Sequence, residues 1–376
     1  MNKKDVILVA NSPGELSALV KPVAEQFKKK LPEVRLILIL TPCQYASGKE
    51  VEFARKTLKV DEILSADNYK KWLLTNQLPF TLNGSGIVLF LGGDLMHAML
   101  IAKKTNYQAY AYLAGRYIGW RSFFKKFFVA EAALFKNREK IEEVGDLMAD
   151  SVVTLTKEQA RERWHIPSEN PVLAFMPGSR KWEIGHMLPL YEKIGKILKK
   201  EIPALQLLLI ISPFISMEDI ETCAAHRLFE IFAPLDSITA ADLVVTIPGT
   251  NTAQIAAAGL PMLVIFPLDN PEVIPLTGLL HYICCLPLLG SLIKRSLAFW
   301  VNKKTKFFAL PNIKADRELV PEIRGKINPQ EAARKIKDML SNRSRLKDTS
   351  RELKAIMKSS GAAEKIVEEI INEALL

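Results

Sequence analysis

The sequence predicts an α/β protein made of two Rossmann-like domains, each built on a doubly wound parallel sheet. Apolar runs of strand length alternate with helical patterns almost from end to end. The runs are continuous in Val, Ile and Leu, which is typical of strands buried on both faces of a parallel sheet. The alternation restarts near Val172, after a polar and helical stretch over 157–170, and this restart indicates a second domain.

Nine segments are predicted to be strands because they are short, apolar and bounded by turn residues. In chain order they are Val6–Ala10, Val34–Leu40, Gly86–Leu91, Ala109–Leu113, Ser151–Leu155, Val172–Met176, Leu205–Ile211, Leu243–Ile247 and Met262–Phe266. Between the first two, apolar residues recur at spacings of three and four, which predicts a helix. We expect domains at 1–165 and 166–345, and a C-terminal helix at 346–376 that crosses back onto the first domain.

Doubly wound domains bind ligands at the carboxyl ends of their strands, so we expect a cleft between the two domains. The loop Pro177–Arg180 joins an apolar strand to a helix. It offers backbone N–H groups, a hydroxyl and a guanidinium, which suit a phosphate or diphosphate. The loop Pro248–Thr252 has small residues that let a ligand approach a helix N-terminus. Together they predict a diphosphate ligand such as a nucleotide sugar; the alternative is two ordinary turns.

Asp94 follows an apolar run and two glycines, at the expected mouth of the first sheet. A carboxylate there can accept the proton of an attacking hydroxyl, the general-base role that glycosyl transfer requires. His97 would share its helical face and could assist. Glu15, which closes the first loop, follows the same pattern. The alternative for Asp94 is a helix N-cap, and for Glu15 a favourable interaction with the helix dipole.

The net charge of +10 favours anionic partners, namely phosphorylated substrates or a phospholipid surface. Nucleic acid ranks last and is not expected, because no basic stretch carries interleaved aromatic residues. The four cysteines and five histidines show neither a disulfide framework nor metal-ligand spacing. They indicate a reduced cytoplasmic protein without a metal. Neither G-x-G-x-x-G nor a Walker A pattern occurs, so no nicotinamide or ATP cofactor is expected.

An uncharged stretch from Val273 to Ile293 is long enough to span a bilayer. Prolines and glycines interrupt it, and an aromatic and basic stretch follows to residue 308, so one continuous spanning helix is not expected. We expect 273–308 to lie in the lipid interface, as a peripheral attachment to the inner face of the cytoplasmic membrane. A buried core and a true span are the alternatives. The N-terminus enters a strand by Val6, which argues against a signal peptide.

Five motifs together resemble the lipid-A-disaccharide synthases, a family of GT-B glycosyltransferases. The motifs are Gly92-Gly93-Asp94, Val144–Asp150, Pro177–Arg180 with Glu183, Pro248–Thr250, and Leu310–Asn312 followed by Arg317–Val320. Their order and spacing cover roughly residues 5 to 340. The resemblance implies a GT-B fold, with two Rossmann-like domains facing a cleft and the donor held mainly by the C-terminal one.

The resemblance also implies the reaction, a transfer of 2,3-diacylglucosamine from UDP to 2,3-diacylglucosamine 1-phosphate that yields a disaccharide and UDP. Asp94, with Glu15 and His97, would be catalytic. The implied UDP-sugar contacts are Gly14, Pro177, Gly178, Ser179, Arg180, Glu183, Gly249, Thr250, Asn251, Gln254 and Asn312. The partners would be a UDP-linked acylated amino sugar, a phosphorylated lipid acceptor and an anionic membrane surface; a homodimer is left open.

The chain departs from the family pattern at several places, three of which involve candidate site residues. The first loop keeps only a glycine and an acid of Gly-Glu-x-Ser-Gly-Asp, His97 replaces a second carboxylate, and Gln254 replaces a glutamate implied for the nucleotide ribose. These departures leave three alternatives open. They are a related UDP-sugar transferase with another lipid or envelope acceptor, a sugar-nucleotide epimerase of the same fold, and an inactive membrane-bound scaffold.

Overall fold

The computed structural model describes residues 4–43, 46–113, 118–152, 155–222, 228–229, 231–268, 302–357 and 361–375. The chain divides into two compact units. One comprises Met1–Val152 with Lys358–Leu376, and the other comprises Val153–Met357. Each unit contains one parallel sheet with helices between its strands, which confirms the predicted pair of doubly wound sheets.

The first unit has a seven-stranded sheet in the order β3-β2-β1-β4-β5-β6-β7. Its strands are β1 (Asp5–Ala10), β2 (Arg35–Leu40), β3 (Glu62–Leu64), β4 (Gly86–Phe90), β5 (Gln108–Leu113), β6 (Phe124–Val129) and β7 (Ile141–Glu143). Its helices up to residue 152 are α1 (Pro13–Glu15), α2 (Lys21–Lys30), α3 (Glu50–Thr57), α4 (Ala66–Thr75), α5 (Leu95–Thr105) and α6 (Leu147–Asp150), with a π-helical segment at Leu16–Val20 and 3-10 turns at Arg121–Phe123 and Ala132–Leu134.

The centre of this sheet is apolar on both faces, as its sequence requires. Strand β1 is buried throughout, and it pairs in parallel with β2 on one side and β4 on the other. Helices α4 and α5 contribute buried side chains to the core on one face. Strands β2 and β3 extend the sheet from one side of β1, and β5, β6 and β7 extend it from the far side of β4. The strand order therefore reverses between β1 and β4.

The second unit has a six-stranded sheet in the order β10-β9-β8-β11-β12-β13, which reverses between β8 and β11. Its strands are β8 (Val172–Met176), β9 (Gln206–Ile210), β10 (Ile231–Ala233), β11 (Leu243–Thr246), β12 (Met262–Pro267) and β13 (Glu322–Gly325). Its helices are α7 (Lys157–Arg163), α8 (Lys181–Glu201), α9 (Met217–Glu221), α10 (Thr250–Ala257), α11 (Leu310–Ala315), α12 (Pro329–Ser341) and α13 (Arg343–Ile356), with a 3-10 segment at Leu235–Ala240.

One predicted strand is wrong and five strands were missed. The described residues of Ser151–Leu155 are turn and coil. Helix α6 ends immediately before them, and Ser151 is its C-cap. The missed strands are β3, β6, β7, β10 and β13. All but β6 are short, and several carry charged residues toward the edge of a sheet, so they lack the continuous apolar run that marks a central strand.

The C-terminal region is two helices rather than the single expected one. Helix α13 belongs to the second unit, whereas α14 (Ala362–Ile370) and the turn Ile371–Leu375 belong to the first. Gly361 begins α14 with φ +64°, a left-handed conformation that favours glycine and separates the two helices. Lys30 of α2 forms ion pairs with Glu364 and Glu368 at 2.8 and 2.6 Å, which attach α14 to the first unit.

Of the predicted interfacial segment 273–308, residues 273–301 lie outside the residues that the structure describes. Across the described ranges, none of the helices combines the length and the hydrophobicity that crossing a bilayer requires.

Candidate functional site

Each unit brings two of the predicted loops together at the point where its strand order reverses. In the first unit, Asn11–Glu15 follows β1 and Gly92–Asp94 follows β4, and these strands are neighbours. In the second unit, Pro177–Arg180 follows β8 and Pro248–Thr252 follows β11, which are also neighbours. In open α/β sheets such reversal points leave a crevice beyond the strand ends, where ligands bind.

Glu15 connects the two loops of the first unit. Its Oε2 accepts hydrogen bonds from the backbone N–H groups of Asn11 and Ser12 at 2.9 and 3.1 Å. Its Oε1 accepts from the N–H of Gly93 at 3.0 Å. Burial raises the pKa of Glu15, while the three backbone donors act in the opposite direction. Because both oxygens are occupied, this geometry favours a positioning role over the predicted catalytic one.

The two glycines before Asp94 are needed for this arrangement. A methyl group on Gly92 would overlap the carboxyl group of Glu15. Gly93 has φ +93°, and a methyl group there would lie 2.9 Å from Nδ2 of Asn11 and 3.2 Å from Oγ1 of Thr41. The backbone at Gly92 and Gly93 therefore passes too close to its neighbours for any larger residue. This close packing fixes the position of Asp94, the next residue.

Asp94 is exposed at the carboxyl end of β4 and forms the N-cap of α5. Its Oδ1 accepts a hydrogen bond from the N–H of Met96 at 2.8 Å. The structure thus contains the capping interaction that the sequence left open as an alternative. Capping occupies one oxygen, however, and the exposed carboxylate retains acceptor capacity for a hydroxyl.

His97 lies at the N-terminal turn of α5 and contacts Tyr69 of α4. The Tyr69 hydroxyl lies 2.9 Å from Nδ1 of His97, and the two rings meet edge to face with centroids 5.4 Å apart. Burial lowers the pKa of His97, and the negative charge of Asp94 partly opposes this shift. Sequence reasoning missed Tyr69, since the segment around it is polar and its contact with His97 spans 28 residues.

The loop Pro177–Arg180 is held by Glu183, the third residue of α8. Oε2 of Glu183 accepts from the N–H groups of Ser179 and Arg180 at 2.7 and 3.0 Å. Oε1 accepts from Nη1 of Arg180 at 2.8 Å. Two N–H groups predicted to face a phosphate are therefore bonded to Glu183, and this is a correction. The guanidinium, with 24% of its side chain exposed, remains the cationic group of the loop.

Gly178 has φ +117° and allows Glu183 to take this position. A methyl group on Gly178 would overlap the Glu183 carboxylate and lie 2.9 Å from Cδ1 of Ile247. Glu183 is 5% exposed, which places it beneath the loop and away from solvent. Of the residues predicted to bind the donor, Glu183 thus contacts Arg180 directly and orients it.

The start of α10 is open to an anion. Gly249 precedes it with φ +126°, and a methyl group there would meet nothing within 4 Å. The helix has no side-chain cap and no acidic residue in its first turn, where Thr250 and Asn251 lie. The positive end of the helix dipole is therefore not neutralised by a side chain. Gln254, one turn further, is 5% exposed.

Asn312 lies in the interior of the second unit, which corrects its predicted role as a donor contact. It is fully buried, and its Oδ1 accepts from the N–H groups of Leu319 and Val320 at 2.8 and 2.9 Å. Its Nδ2 donates to the carbonyl of Val320 and to Glu322 at 2.8 and 2.9 Å. Its hydrogen bonds thus fold the segment after α11 and leave no surface for a ligand.

A metal has no site in the described ranges, where no three His, Cys, Asp or Glu side chains are grouped to hold one. The two units therefore offer different groups at their reversal points. The first presents an exposed carboxylate, and the second presents a guanidinium beside an uncapped helix N-terminus. Two parallel doubly wound sheets, one in each unit, are typical of the GT-B class of fold.

Solved structures share this fold. A UDP-GlcNAc 2-epimerase from Neisseria meningitidis, solved with UDP-GlcNAc, aligns with a TM-score of 0.59 at 14% identity, covering 98% of this chain and 100% of that chain. A UDP-GlcNAc 2-epimerase from Methanocaldococcus jannaschii aligns with a TM-score of 0.53 at 13% identity, covering 98% and 99%. At these identities the likeness concerns the fold alone.

The sequence comparisons point to one family. The family model for lipid-A-disaccharide synthetase matches residues 123–279. A lipid-A-disaccharide synthase of Coxiella burnetii is 24% identical over 367 residues, covering 91% of this chain and 90% of that protein. Another, from Trichlorobacter lovleyi, is 30% identical over 131 residues, or 34% of each chain. The chain is thus similar to the lipid-A-disaccharide synthases over nine-tenths of its length, at low identity.

Proposed function

We propose that this protein is a UDP-sugar-dependent glycosyltransferase that moves 2,3-diacylglucosamine from UDP to 2,3-diacylglucosamine 1-phosphate. The observation that carries the proposal is the division of chemistry between the two units. The exposed carboxylate of Asp94 lies at one reversal point, and the Arg180 guanidinium lies at the other. The similarity to lipid-A-disaccharide synthases over nine-tenths of the chain supports the choice of substrates.

The second unit would hold the donor. Arg180 would grip two diphosphate oxygens at once, because its guanidinium is planar and presents parallel N–H donors. The open first turn of α10, at Thr250 and Asn251, would add partial positive charge on another side of the diphosphate. These groups stabilise the charge that develops on the leaving UDP, and they do so without a metal.

The first unit would hold the acceptor. Asp94 would take the proton of the acceptor hydroxyl as the oxygen of that hydroxyl forms its bond to C1 of the donor sugar. The bond between C1 and the diphosphate oxygen breaks in the same process, and UDP leaves with the bonding electrons. Glu15 keeps Asp94 in place through Gly93 and does not itself exchange a proton.

A membrane surface would supply both acylated substrates, and the described residues contain a patch that fits one. Trp120 and Phe123 are 47% and 41% exposed, with ring centroids 6.3 Å apart. Nζ of Lys103 lies 4.4 Å from the centre of the Phe123 ring, and Lys125 is exposed on the adjoining strand. Exposed aromatic rings beside lysines are suited to the headgroup level of anionic lipid. We propose that this patch contacts anionic lipid at the inner face of the cytoplasmic membrane.

One assay tests the proposed reaction. Purified protein is incubated with UDP-2,3-diacylglucosamine and 2,3-diacylglucosamine 1-phosphate, and mass spectrometry detects the products. We expect a disaccharide 1-phosphate together with an equal amount of UDP. Calorimetry with UDP is run in parallel. UDP binding without disaccharide would contradict the proposed reaction and favour another acceptor, an epimerase or an inactive scaffold, and a protein that binds no UDP would remove the enzyme interpretation.

Vesicle flotation tests the membrane partner separately. We expect the protein to float with anionic vesicles and less with zwitterionic ones, and the double variant Trp120→Ser/Phe123→Ser to lose flotation. The matched control removes two exposed apolar residues elsewhere, Leu74→Ser and Met217→Ser, and should float like the wild type. Equal flotation of both double variants would contradict a role for the Trp120–Phe123 patch.

A further inference from the structure

Tyr69 and His97 form a pair that the proposed reaction has not used. Tyr69 is fully buried in the core of the first unit, and its hydroxyl contacts Nδ1 of His97. His97 is half-buried and lies one helical turn after Asp94. The pair therefore connects the apolar core to the first turn of α5, beside the carboxylate that would accept a proton.

The contact selects one tautomer of His97. Neutral imidazole has one nitrogen that donates and one that accepts. If Nδ1 carried the proton, it would donate to the Tyr69 oxygen, and the buried Tyr69 hydrogen would have no acceptor among the described residues. Leaving a buried donor without a partner costs free energy. The favoured arrangement has Tyr69 donating to Nδ1 and the ring proton on Nε2.

Burial keeps the His97 ring neutral and usable as a donor, against the effect of the nearby negative charge. Asp94, on the same helical turn, is the charged group that acts on it, and burial outweighs the effect of this charge on the pKa of His97. On the facing helix α4, burial raises the pKa of Tyr69, so its hydroxyl stays protonated. The lysines of α4, Lys70 and Lys71, are exposed, and Lys70 pairs with Asp67 at 3.2 Å.

We propose that Tyr69 is a positioning residue that holds His97 as the Nε2–H tautomer, so that His97 donates a hydrogen bond to the acceptor substrate and Asp94 alone takes the proton. The substrate part of this statement rests on the proposed function. The tautomer part rests only on the contact between the two side chains. This role differs from the general-base assistance that the sequence suggested for His97.

Nitrogen NMR of the free protein tests the tautomer without any need for activity. The protein is labelled with ¹⁵N in its five histidines, and the His97 signals are assigned by their loss in His97→Gln. We expect a protonated Nε2 and an unprotonated Nδ1 in the wild type, and a mixture of tautomers in Tyr69→Phe. The control Tyr107→Phe also removes a buried hydroxyl, one bonded to Asp5 at 2.9 Å, and should leave the His97 spectrum unchanged. A protonated Nδ1 in the wild type, or an unchanged spectrum in Tyr69→Phe, overturns the proposal.

The variant His97→Gln tests the donor role in the transferase assay. Glutamine keeps an amide N–H near the position of Nε2 but cannot accept a proton at neutral pH. We expect His97→Gln to keep kcat within about tenfold of the wild type, with a raised KM for the acceptor. A kcat as low as that of Asp94→Asn would show that His97 is a base, and would overturn the donor role. A wild type without transferase activity would defeat the proposed function, while the NMR result would still decide the tautomer.

Discussion

Glu15 in the first unit and Glu183 in the second hold their loops in the same way, and they differ in the third group that donates a hydrogen bond to the carboxylate. Each is the third residue of the first helix after the first strand of its sheet, and each accepts two backbone N–H groups from the preceding loop. Each also lies beside a glycine on which a methyl group would overlap the carboxylate. The third donor is the N–H of Gly93 for Glu15, but the guanidinium of Arg180 for Glu183.

The difference separates what each unit can do. In the first unit Glu15 joins two backbone loops through hydrogen bonds. It thereby positions the residue after Gly93, which is Asp94 with its exposed carboxylate. In the second unit the glutamate holds a cation at the loop itself. Glu15 therefore positions a proton acceptor, and Glu183 positions an anion-binding group. Changing each presented group should affect a different measurement.

The largest effect is expected from Asp94→Asn. We expect kcat to fall by about 10²–10⁴-fold, because the general base is lost, while calorimetry still shows UDP binding. Asparagine caps a helix as well as aspartate does, so the melting temperature should change little. This variant separates the two roles of Asp94, as general base and as helix N-cap. Wild-type turnover in the variant would mean that Asp94 acts only as the N-cap of α5.

The next largest effect is expected from Arg180→Ala. Loss of charge-assisted hydrogen bonds should weaken UDP binding by about 10–100-fold. The control Arg317→Ala removes an exposed arginine of the same unit that pairs with Glu352, and should bind UDP normally. Calorimetry measures the UDP affinity of both variants. Equal affinities would show that Arg180 does not contribute to donor binding.

The sequence revealed these groups unequally, for a physical reason. Loops such as Pro177–Arg180 were predictable because strand, turn and helix preferences are local. Tyr69 was not, because its role arises from a contact between two helices. Asn312 belongs to a recognisable motif, but it acts through buried hydrogen bonds to Val320 and Glu322, and a motif does not say whether a residue faces a ligand or the interior.

A third prediction compares two glycines of the second unit. Both Gly178 and Gly249 have positive φ, so alanine should cost each about 1–2 kcal/mol of stability. Only Gly178→Ala would also displace Glu183 from the N–H groups of Ser179 and Arg180, which should cost about 1–3 kcal/mol more. Thermal unfolding of the two variants measures the difference. Equal destabilisation would mean that Glu183 moves aside without loss.

The smallest effect is a pH dependence that distinguishes two half-buried glutamates, Glu15 in the first unit and Glu322 in the second. Burial raises the pKa of Glu15 despite its backbone donors, so the folded state favours the protonated form. The unfolding free energy that Glu15 contributes should therefore fall as the pH rises above its unfolded pKa of about 4.3. Relative to Glu15→Gln, the wild type should lose stability as the pH rises.

Glu322 should show the opposite slope. Its burial alone would raise its pKa, but hydrogen bonds from Ala309, Asn312, Phe308 and Arg324 outweigh burial and lower it. Its contribution should be complete above about pH 4.3 and be lost as the pH falls through its folded pKa. Both glutamates accept backbone N–H groups, and Glu322 adds a side-chain amide and a guanidinium. Thermal unfolding of Glu15→Gln and Glu322→Gln from about pH 2 to pH 7 compares the two, with the Glu322 slope expected below about pH 4.3. Slopes of equal sign would show that these added donors do not decide the direction.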